Sequence, residues 1–329
     1  NIDFLTEVNF AAIQDAANNQ ADIVQVGSVG LTDFHVTFRD QPVVGNIRIG
    51  HLLAPLSLER YSGSTPGQYM ERSHIFDALV GTNEYQNGVL FFDSYLNDRV
   101  TWGTSLTWLS KSGINTFGFG AFETGNYAIN TRVTALPLYR NQGRQLVHLG
   151  AGYQHQALNG KRLSVAARPL LRAGAGGDDT PNIVATGSYF TPNGANLLVV
   201  EGIIINNRLS ISGEYALASI SDVYENYNGD VFSGPRGDAT FHSAYIESGY
   251  FLTRGNHRRY NPGTGTWDRT KPCRNAYSRC ENGCWIRGGG ALELVLRFSY
   301  LDLISGSPVL TPSGDGASAG NVYDVTTGF

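Results

Sequence analysis

The sequence has no long hydrophobic run. Its richest apolar stretch, residues 197–205 (LLVVEGIII), is interrupted by Glu201. A membrane-spanning helix needs about 18 or more predominantly apolar residues, so a helical membrane protein is excluded. The formal net charge of -4 excludes a strongly basic nucleic-acid-binding protein, and we expect no nucleic-acid partner.

Several residue types are scarce. The chain has one Met, three Lys and three Cys among 329 residues, against 40 Gly and 33 Tyr plus Phe. This composition is typical of an extracytoplasmic β protein rather than of a cytosolic enzyme. No secretion signal is visible at the start, and we expect Asn1 to lie inside a longer or processed chain.

The stretch 292–300 (LELVLRFSY) alternates with a period of two residues. Side chains of a strand point to opposite faces in turn, so one face is apolar and the other carries charge. The apolar face holds Leu292, Leu294, Leu296, Phe298 and Tyr300, and the other holds Glu293, Arg297 and Ser299. The length suits a tilted strand that crosses a bilayer.

The same alternation recurs in residues 100–108, 127–134 and 209–217. Repeated segments of about ten residues, separated by turn residues, are the signature of a transmembrane barrel. The sequence therefore predicts an all-β, closed antiparallel transmembrane β-barrel, because lipid satisfies no backbone hydrogen bonds. A soluble β-sandwich, which would bury the apolar faces between two sheets, is the alternative.

Residues 1–329 are expected to form one barrel domain. Tight connections are predicted at 40–42, 97–98 and 206–207, and longer ones at 52–87, 219–236 and 254–287. Barrels of this class place short turns on the periplasmic side and long loops outside. No strand is predicted near Phe329.

Several stretches resemble the phosphate-selective porin O and P family of Gram-negative outer membranes. They are residues 45–59 (GNIRIGHLLAPLSLE), 70–73 (MERS), 209–215 (LSISGEY), 250–254 (YFLTR) followed by Tyr260, and 290–303 (GALELVLRFSYLDL). The motifs occur in the family's order and cover most of the chain, which makes the match specific.

The resemblance implies a passive porin rather than an enzyme, without a cofactor. It implies a barrel of about sixteen strands, a homotrimer, and further strands beyond both ends of this sequence. It makes 52–87 the candidate constriction loop, with Arg60 and Arg72 as its charges most exposed to ions. The expected partners are membrane lipid, lipopolysaccharide and small anions or polar solutes.

The chain departs from the members of the family that select phosphate. It has no R-x-R-x-R ladder of arginines, and residues 52–87 contain no lysine. We therefore expect weak or no selectivity for phosphate.

Strand alternation gives a candidate lining of the pore. The inward charges are Arg48, Arg132, Arg162, Arg168, Arg208 and Arg297, with Glu7, Glu201, Glu214, Glu247 and Glu293. Arginine presents a planar fork that suits oxyanions. Alternatively, inward Arg and Glu pair across strands and only brace the wall.

The segment 254–287 is basic. It has eight Lys or Arg residues against Asp268 and Glu281, a net charge of +6, and includes Arg254, Arg258, Arg259, Arg269 and Lys271. Such a charge at a pore mouth would concentrate anions. Alternatively, it is a solvated loop that binds lipopolysaccharide phosphates or nothing in particular.

The three cysteines, Cys273, Cys280 and Cys284, lie in this basic segment. Outside the cytoplasm, one disulfide with one thiol left over is the simplest interpretation. A zinc site would need a fourth ligand, and only His257 is near, so no metal is expected.

No catalytic constellation emerges. The G-x-S-x-G match around Ser318 lacks the flanking strand and helix and has no later histidine, so we interpret it as a loop of small residues. Two functions remain, namely a diffusion pore and a non-conducting surface scaffold that holds partner proteins through its loops.

Overall fold

The computed structural model describes residues 1–9, 30–63, 66–81, 85–109, 126–157, 162–170, 180–186, 189–191, 193–227, 230–231, 237–279, 285–304 and 319–329. Nearly all regular structure in these residues is strand. The helical parts are α1 (Leu58–Ser62), a π-helical turn (Phe76–Val80) and a 3-10 turn (Asn141–Gly143). None of the helices in the described residues is long and apolar enough to span a membrane.

The strands are numbered in chain order. They are β1 (Ile2–Asn9), β2 (Gly30–Gln41), β3 (Gly45–Leu53), β4 (Tyr85–Tyr95), β5 (Val100–Trp108), β6 (Tyr127–Arg140), β7 (Gln145–Ala157), β8 (Arg162–Leu163), β9 (Ala166–Ala167), β10 (Val184–Ala185), β11 (Tyr189–Phe190), β12 (Ala195–Asn206), β13 (Leu209–Ile220), β14 (Tyr224–Tyr227), β15 (Asp230–Val231), β16 (Ala239–Phe251), β17 (Arg259–Asn261), β18 (Thr266–Asp268), β19 (Tyr277–Arg279), β20 (Trp285–Arg287), β21 (Glu293–Asp302) and β22 (Asn321–Gly328).

Twelve strands form one antiparallel sheet in which each strand pairs with the next along the chain. The order is β1-β2-β3-β4-β5-β6-β7-β12-β13-β16-β21-β22. The prediction of an all-β, antiparallel fold is confirmed. Within the described ranges β1 pairs only with β2 and β22 only with β21, so ring closure and a count of about sixteen strands are not observed.

The sheet carries its apolar residues on the outside. On β21, Leu294, Leu296 and Phe298 are 47%, 49% and 43% exposed, whereas Arg297 between them is 1% exposed. The same inversion holds on β13, where Ser210, Ser212 and Glu214 are buried. We call the polar, covered side the inner face and the apolar side the outer face. The predicted alternation of 292–300 and 209–217 matches this arrangement.

The strand order defines two ends of the sheet. The turn end has the short connections 42–44, 96–99, 141–144 and 207–208, and the loop end has the long connections such as 54–84 and 221–238. Because β16 runs toward the turn end, the long connection 252–292 lies there too. The sequence pattern groups 254–287 with the other long connections, whereas the strand order places it at the end of the short turns.

The C-terminal region also differs from the prediction. Residues 321–328 form β22, which pairs with β21 from Asp302 to Val295. Its alternation was missed because only Val322, Tyr323 and Val325 are large and apolar among polar residues. Ser318 and its flanking small residues lie outside the described ranges except for 319–320.

Candidate pore interior

The connection between β3 and β4 lies against the inner face, and we call residues 54–81 the inserted loop. Leu56, Ile75, Leu79 and Val80 of this loop are buried together with inner-face residues of β12, β13, β16 and β21, such as Val199, Ala216, Phe241 and Leu301. The long connection therefore turns inward because it has an apolar surface of its own to bury.

Glu214 anchors the inserted loop to β13. Its carboxylate accepts the backbone N–H groups of Leu58 at 2.6 Å and Glu59 at 3.1 Å. Ser57 accepts the N–H of Arg60 at 3.2 Å and caps the same helical turn. Helix N-termini leave N–H groups without intrahelical partners, so a carboxylate there stabilises α1.

A second segment enters from the turn end. Strands β17 and β18 form a hairpin whose Tyr260 and Trp267 are buried against Leu58, Leu136, Leu146, Ile203 and Ile205. The backbone N–H of Trp267 donates to the hydroxyl of Ser62 at 3.1 Å. We call residues 259–268 the inner hairpin, and it meets the inserted loop inside the curved sheet.

A polar network joins the inner hairpin to the wall. Arg132 on β6 donates to Glu201 on β12, with the closest N···O distance at 2.6 Å, and to the carbonyl oxygen atoms of Gly265 at 2.6 Å and Thr264 at 3.3 Å. His148 on β7 lies 2.9 Å from Glu201 and 2.7 Å from the hydroxyl of Tyr260. We call these four side chains, with Tyr260 included, the hairpin latch.

The backbone of Gly265 is required at this position. Its φ is +66°, and a Cβ would lie 2.6 Å from the hydroxyl oxygen of Thr134 and 2.9 Å from that of Thr101. Only glycine adopts this conformation without strain and fits this contact. The latch therefore depends on a backbone feature as well as on charged side chains.

The two arginines predicted in the inserted loop differ in exposure. Arg60 is fully buried and donates to the carbonyl oxygen of Val80 at 3.0 Å, so the expectation that ions meet it was wrong. Its place in a short helix that faces the wall explains the burial. Arg72 is half-buried, with its guanidinium 3.8 Å from the ring centre of Phe76.

The predicted wall arginines fall into different environments. Arg48 lies on the inner face, half-buried, and donates to Thr37 at 3.2 Å. Arg208 is in the turn after β12, stacked at 4.9 Å on the outer-face Tyr250, and so does not line the interior. Arg168 follows β9 in the connection to β12, where its backbone N–H donates to Asp77 at 2.7 Å. The side chain of Arg162 lies outside the description.

The predicted glutamates lie on the inner face. Glu201, Glu214 and Glu247 are buried. Glu293 is half-buried and accepts from Gln68 at 2.7 Å. Glu7 on β1 lies opposite Asp33 in the register with β2. The braced-wall interpretation fits Arg132 and Glu201, which bind each other.

The basic segment divides into two parts. Arg258 is buried, stacks at 4.4 Å on Trp267 and donates to the carbonyl oxygen of Pro66 at 2.5 Å. Arg259 is half-buried. The pKa of His257 is lowered by its burial and, in addition, by the positive charges of Arg144 and Arg259. The remaining basic side chains are exposed at the turn end: Arg254, Arg269, Lys271, Arg274, Arg279 and Arg287.

The cysteine prediction is tested only at one position. The Cys273 thiol is exposed and forms no disulfide, while Cys280 and Cys284 lie outside the described residues. Among the residues that the structure describes, no three His, Cys, Asp or Glu side chains are grouped to hold a metal ion.

Several interior residues were missed in the sequence. Tyr69, His74 and His148 have no local pattern that marks them, because their partners are distant in sequence. Burial raises the pKa of Tyr69 and lowers the pKa of His74, and both side chains lie in the inserted loop. Tyr260 occurred in a family-like motif, which gave its position but not its partner.

Among the residues that the structure describes, the inner face is solvent-accessible near the turn end of β1 to β3. On β1 to β3 the inner face carries Asp3, Arg39 and Arg48, of which Asp3 and Arg39 form an exposed ion pair. Arg48 also stacks at 5.0 Å on Phe92 of β4. The accessible wall is therefore a mixture of both charges rather than a run of arginines.

The family comparison agrees with this architecture. A family model described as phosphate-selective porin O and P matches residues 2–326. A search of curated proteins finds no match. The family consists of outer-membrane porins of Gram-negative bacteria, which are channels rather than enzymes. With its inverted sheet and nearly complete match, the chain belongs to the phosphate-selective porin O and P family.

Proposed function

We propose that this porin is a narrow passive diffusion channel for small anionic or polar solutes, with little selectivity for phosphate. The observation that carries the proposal is the state of the interior arginines. Arg132 binds Glu201 and Arg60 binds the carbonyl of Val80, so their charges serve the protein's own packing. A pore that selects phosphate must offer several convergent cationic donors to replace the ion's hydration.

The proposed path follows the solvent-accessible inner-face residues near the turn end of β1 to β3. Arg48 is its half-buried cation, and Asp3 and Arg39 neutralise each other nearby. This mixture supports a modest anion preference at most. In the complete assembly, we propose, the sheet closes into a barrel of about sixteen strands that forms a homotrimer.

The exposed basic residues at the turn end provide the second element of the proposal. Arg254, Arg269 and Lys271 would raise the local concentration of anions at that mouth. Short turns face the periplasm in barrels of this class. The placement therefore supports a field at the periplasmic mouth and gives no support to binding of lipopolysaccharide by this segment, whereas the apolar outer face suits membrane lipid.

A non-conducting scaffold is the second candidate. The inner hairpin and the inserted loop pack together inside the sheet, and Trp267 hydrogen-bonds to Ser62 between them. This contact supports a plugged interior. The exposed loops would then hold partner proteins.

Planar bilayers test the two candidates. We expect the purified, folded protein to conduct in KCl, with a reversal potential that indicates weak anion preference. Micromolar phosphate should leave the chloride current unchanged. Absence of conductance from protein that migrates as a folded band on an unheated gel would favour the scaffold, and block by micromolar phosphate would contradict weak phosphate selectivity.

The basic mouth can be tested in the same system. Replacing Arg254, Arg269 and Lys271 by Gln should lower anion preference at low salt and have little effect at high salt, because exposed charges are screened. Replacing three exposed polar residues at the same end, Asn206, Asn275 and Ser278, by Ala is the control without charge change. Equal selectivity in the charge variant and the control would contradict a role for the field.

A further inference from the structure

Six of the buried polar atoms without a hydrogen-bond partner belong to four residues in or near the inserted loop. Within the part of the chain that the structure describes, they are the hydroxyl of Tyr69, both ring nitrogens of His74, Nε of Arg258, and Nε and Nη2 of Arg297. An unsatisfied buried donor costs about 1–3 kcal/mol. Such a concentration indicates a place for acceptor atoms that the protein does not supply.

The four residues share one neighbourhood. The guanidinium of Arg297 stacks at 4.2 Å on the ring of Tyr69 and donates through Nη1 to the carbonyl oxygen of Glu71 at 3.0 Å. Arg258 donates to Pro66 at 2.5 Å, three residues before Tyr69. The backbone N–H of His74 donates to Ser299, two residues after Arg297, at 3.2 Å.

The free edge of Arg297 has a counterpart in the same molecule. Arg132 uses Nε and Nη2 to hold the carboxylate of Glu201, at distances from 2.6 to 3.2 Å. These two nitrogens form the side of the guanidinium that matches two carboxylate oxygens. The same side of Arg297 meets no acceptor in the described residues.

The surrounding charges favour a monoanion over phosphate. Glu247 is the direct cross-strand neighbour of Arg297, and its carboxylate accepts from Ser212 at 2.8 Å instead. Glu293 accepts from Gln68 at 2.7 Å. Glu59 lies near Arg297 as well, so three glutamates surround two arginines and a doubly charged oxyanion would be repelled more than a singly charged one.

The layer that covers the site is thin. Tyr69 is half-buried, and the next residue, Met70, is 100% exposed. The Tyr69 ring stacks on the face of the Arg297 guanidinium, so a displacement of Tyr69 would uncover Arg297 from that side.

We propose that the Nε–Nη2 edge of Arg297 binds the carboxylate group of small monoanionic solutes as they pass, with the Tyr69 hydroxyl and Arg258 Nε as further unpartnered groups of the same region. Glu247 is an internal competitor, since a change of its rotamer would bring its carboxylate to the same edge. Binding is consequently weak, as release from a pore requires. This inference rests on the proposed diffusion function and specifies one of its solute classes.

Acetate is the probe. Single-channel conductance is measured in sodium acetate and sodium chloride at constant ionic strength for the wild type, Arg297→Gln, Glu247→Gln and the charge-matched control Arg99→Gln. Arg99 donates to the carbonyls of Leu136 and Tyr139 near the turn end. The wild type should show conductance that saturates with acetate but not with chloride.

The variants should separate. Arg297→Gln should weaken acetate binding about tenfold or more, the effect of one charge-assisted bidentate pair. Glu247→Gln should tighten it, because the competitor loses its charge, and Arg99→Gln should leave it unchanged. Persistence of acetate saturation in Arg297→Gln, or saturation by phosphate at lower concentration than acetate, would overturn the proposal.

A measurement without current separates failure of this site from failure of the porin function. Acetate titration of the folded protein in detergent micelles is followed by calorimetry, with chloride as the reference salt. Binding that Arg297→Gln abolishes would support the site even in a barrel that does not conduct. No acetate binding to a conducting wild-type protein would mean that only water satisfies these donors, and would refute the proposal while the porin function stands.

Discussion

Replacing Glu201 by Gln should destabilise the protein through the hairpin latch. Glu201 is buried and lies between Arg132 and His148, with N···O distances of 2.6 and 2.9 Å. The change keeps the shape and one acceptor but leaves the Arg132 guanidinium without its nearest counter-charge. Removing one partner of a buried ion pair costs about 3–5 kcal/mol. Because Gln retains one acceptor and Glu214 lies nearby, we expect a loss of about 3 kcal/mol in the free energy of unfolding.

The partner variants make the argument quantitative. Arg132→Gln should cost a similar amount, and the double variant should cost about 1–3 kcal/mol less than the sum of the two, because each single change leaves an uncompensated charge. The hairpin should respond differently. Only variants that lack Arg132 lose the bonds to the carbonyls of Thr264 and Gly265, so they should show larger or noisier conductance, whereas Glu201→Gln should not.

Urea unfolding of protein folded into lipid vesicles, followed by tryptophan fluorescence, gives the free energies, and planar bilayers give the conductance. Costs of the two single changes that add within about 0.5 kcal/mol in the double variant would refute the coupling. Equal conductance in Arg132→Gln and Glu201→Gln would show that the latch does not hold the hairpin.

Three further changes probe the wall, the loop and the hairpin. Leu296→Arg should cost about 2–4 kcal/mol because Leu296 faces lipid, whereas Val295→Thr on the inner face should be mild; equal yields of heat-modifiable protein would contradict the assignment of faces. Burial lowers the pKa of His74 below 6.5, so the unfolded state takes up the proton first and the stability of the folded state falls as pH falls. Between pH 7.5 and 5.5 the wild type should lose up to about 1.4 kcal/mol more free energy of unfolding than His74→Phe, as measured by urea unfolding. Parallel pH profiles of the two proteins would exclude this role. Gly265→Ala should displace the hairpin from Thr134 and increase conductance, with Gly263→Ala, which lies in the same hairpin without such a contact, as its control.

The outer face was predictable because it obeys a local rule. Leu294, Leu296 and Phe298 alternate with Val295 and Arg297, and lipid on one side requires that alternation along the whole strand. The same rule placed Arg132 and Glu201 on the inner face. It gave no information on whether they bind each other or a solute.

The contents of the interior depend on contacts that are distant in sequence. Leu58 meets Glu214 across 156 positions, and Gln68 meets Glu293 across 225. No pattern within the inserted loop shows that the side chain of Arg60 is buried against Val80 of the same loop. The inner hairpin was missed for a related reason. The end of the sheet at which it lies depends on how many strands precede it, and the sequence pattern did not settle that number.

The inserted loop also sets the order in which the molecule can be completed. It follows β3, yet Arg297 on β21 donates to it across 226 positions. The interior therefore cannot reach its final packing until the last part of the chain is in place, and closing such long separations is slow. During assembly the apolar residues of the inserted loop therefore stay exposed until the later strands have formed. This interval is when the chain has most need of a chaperone and is most exposed to proteases.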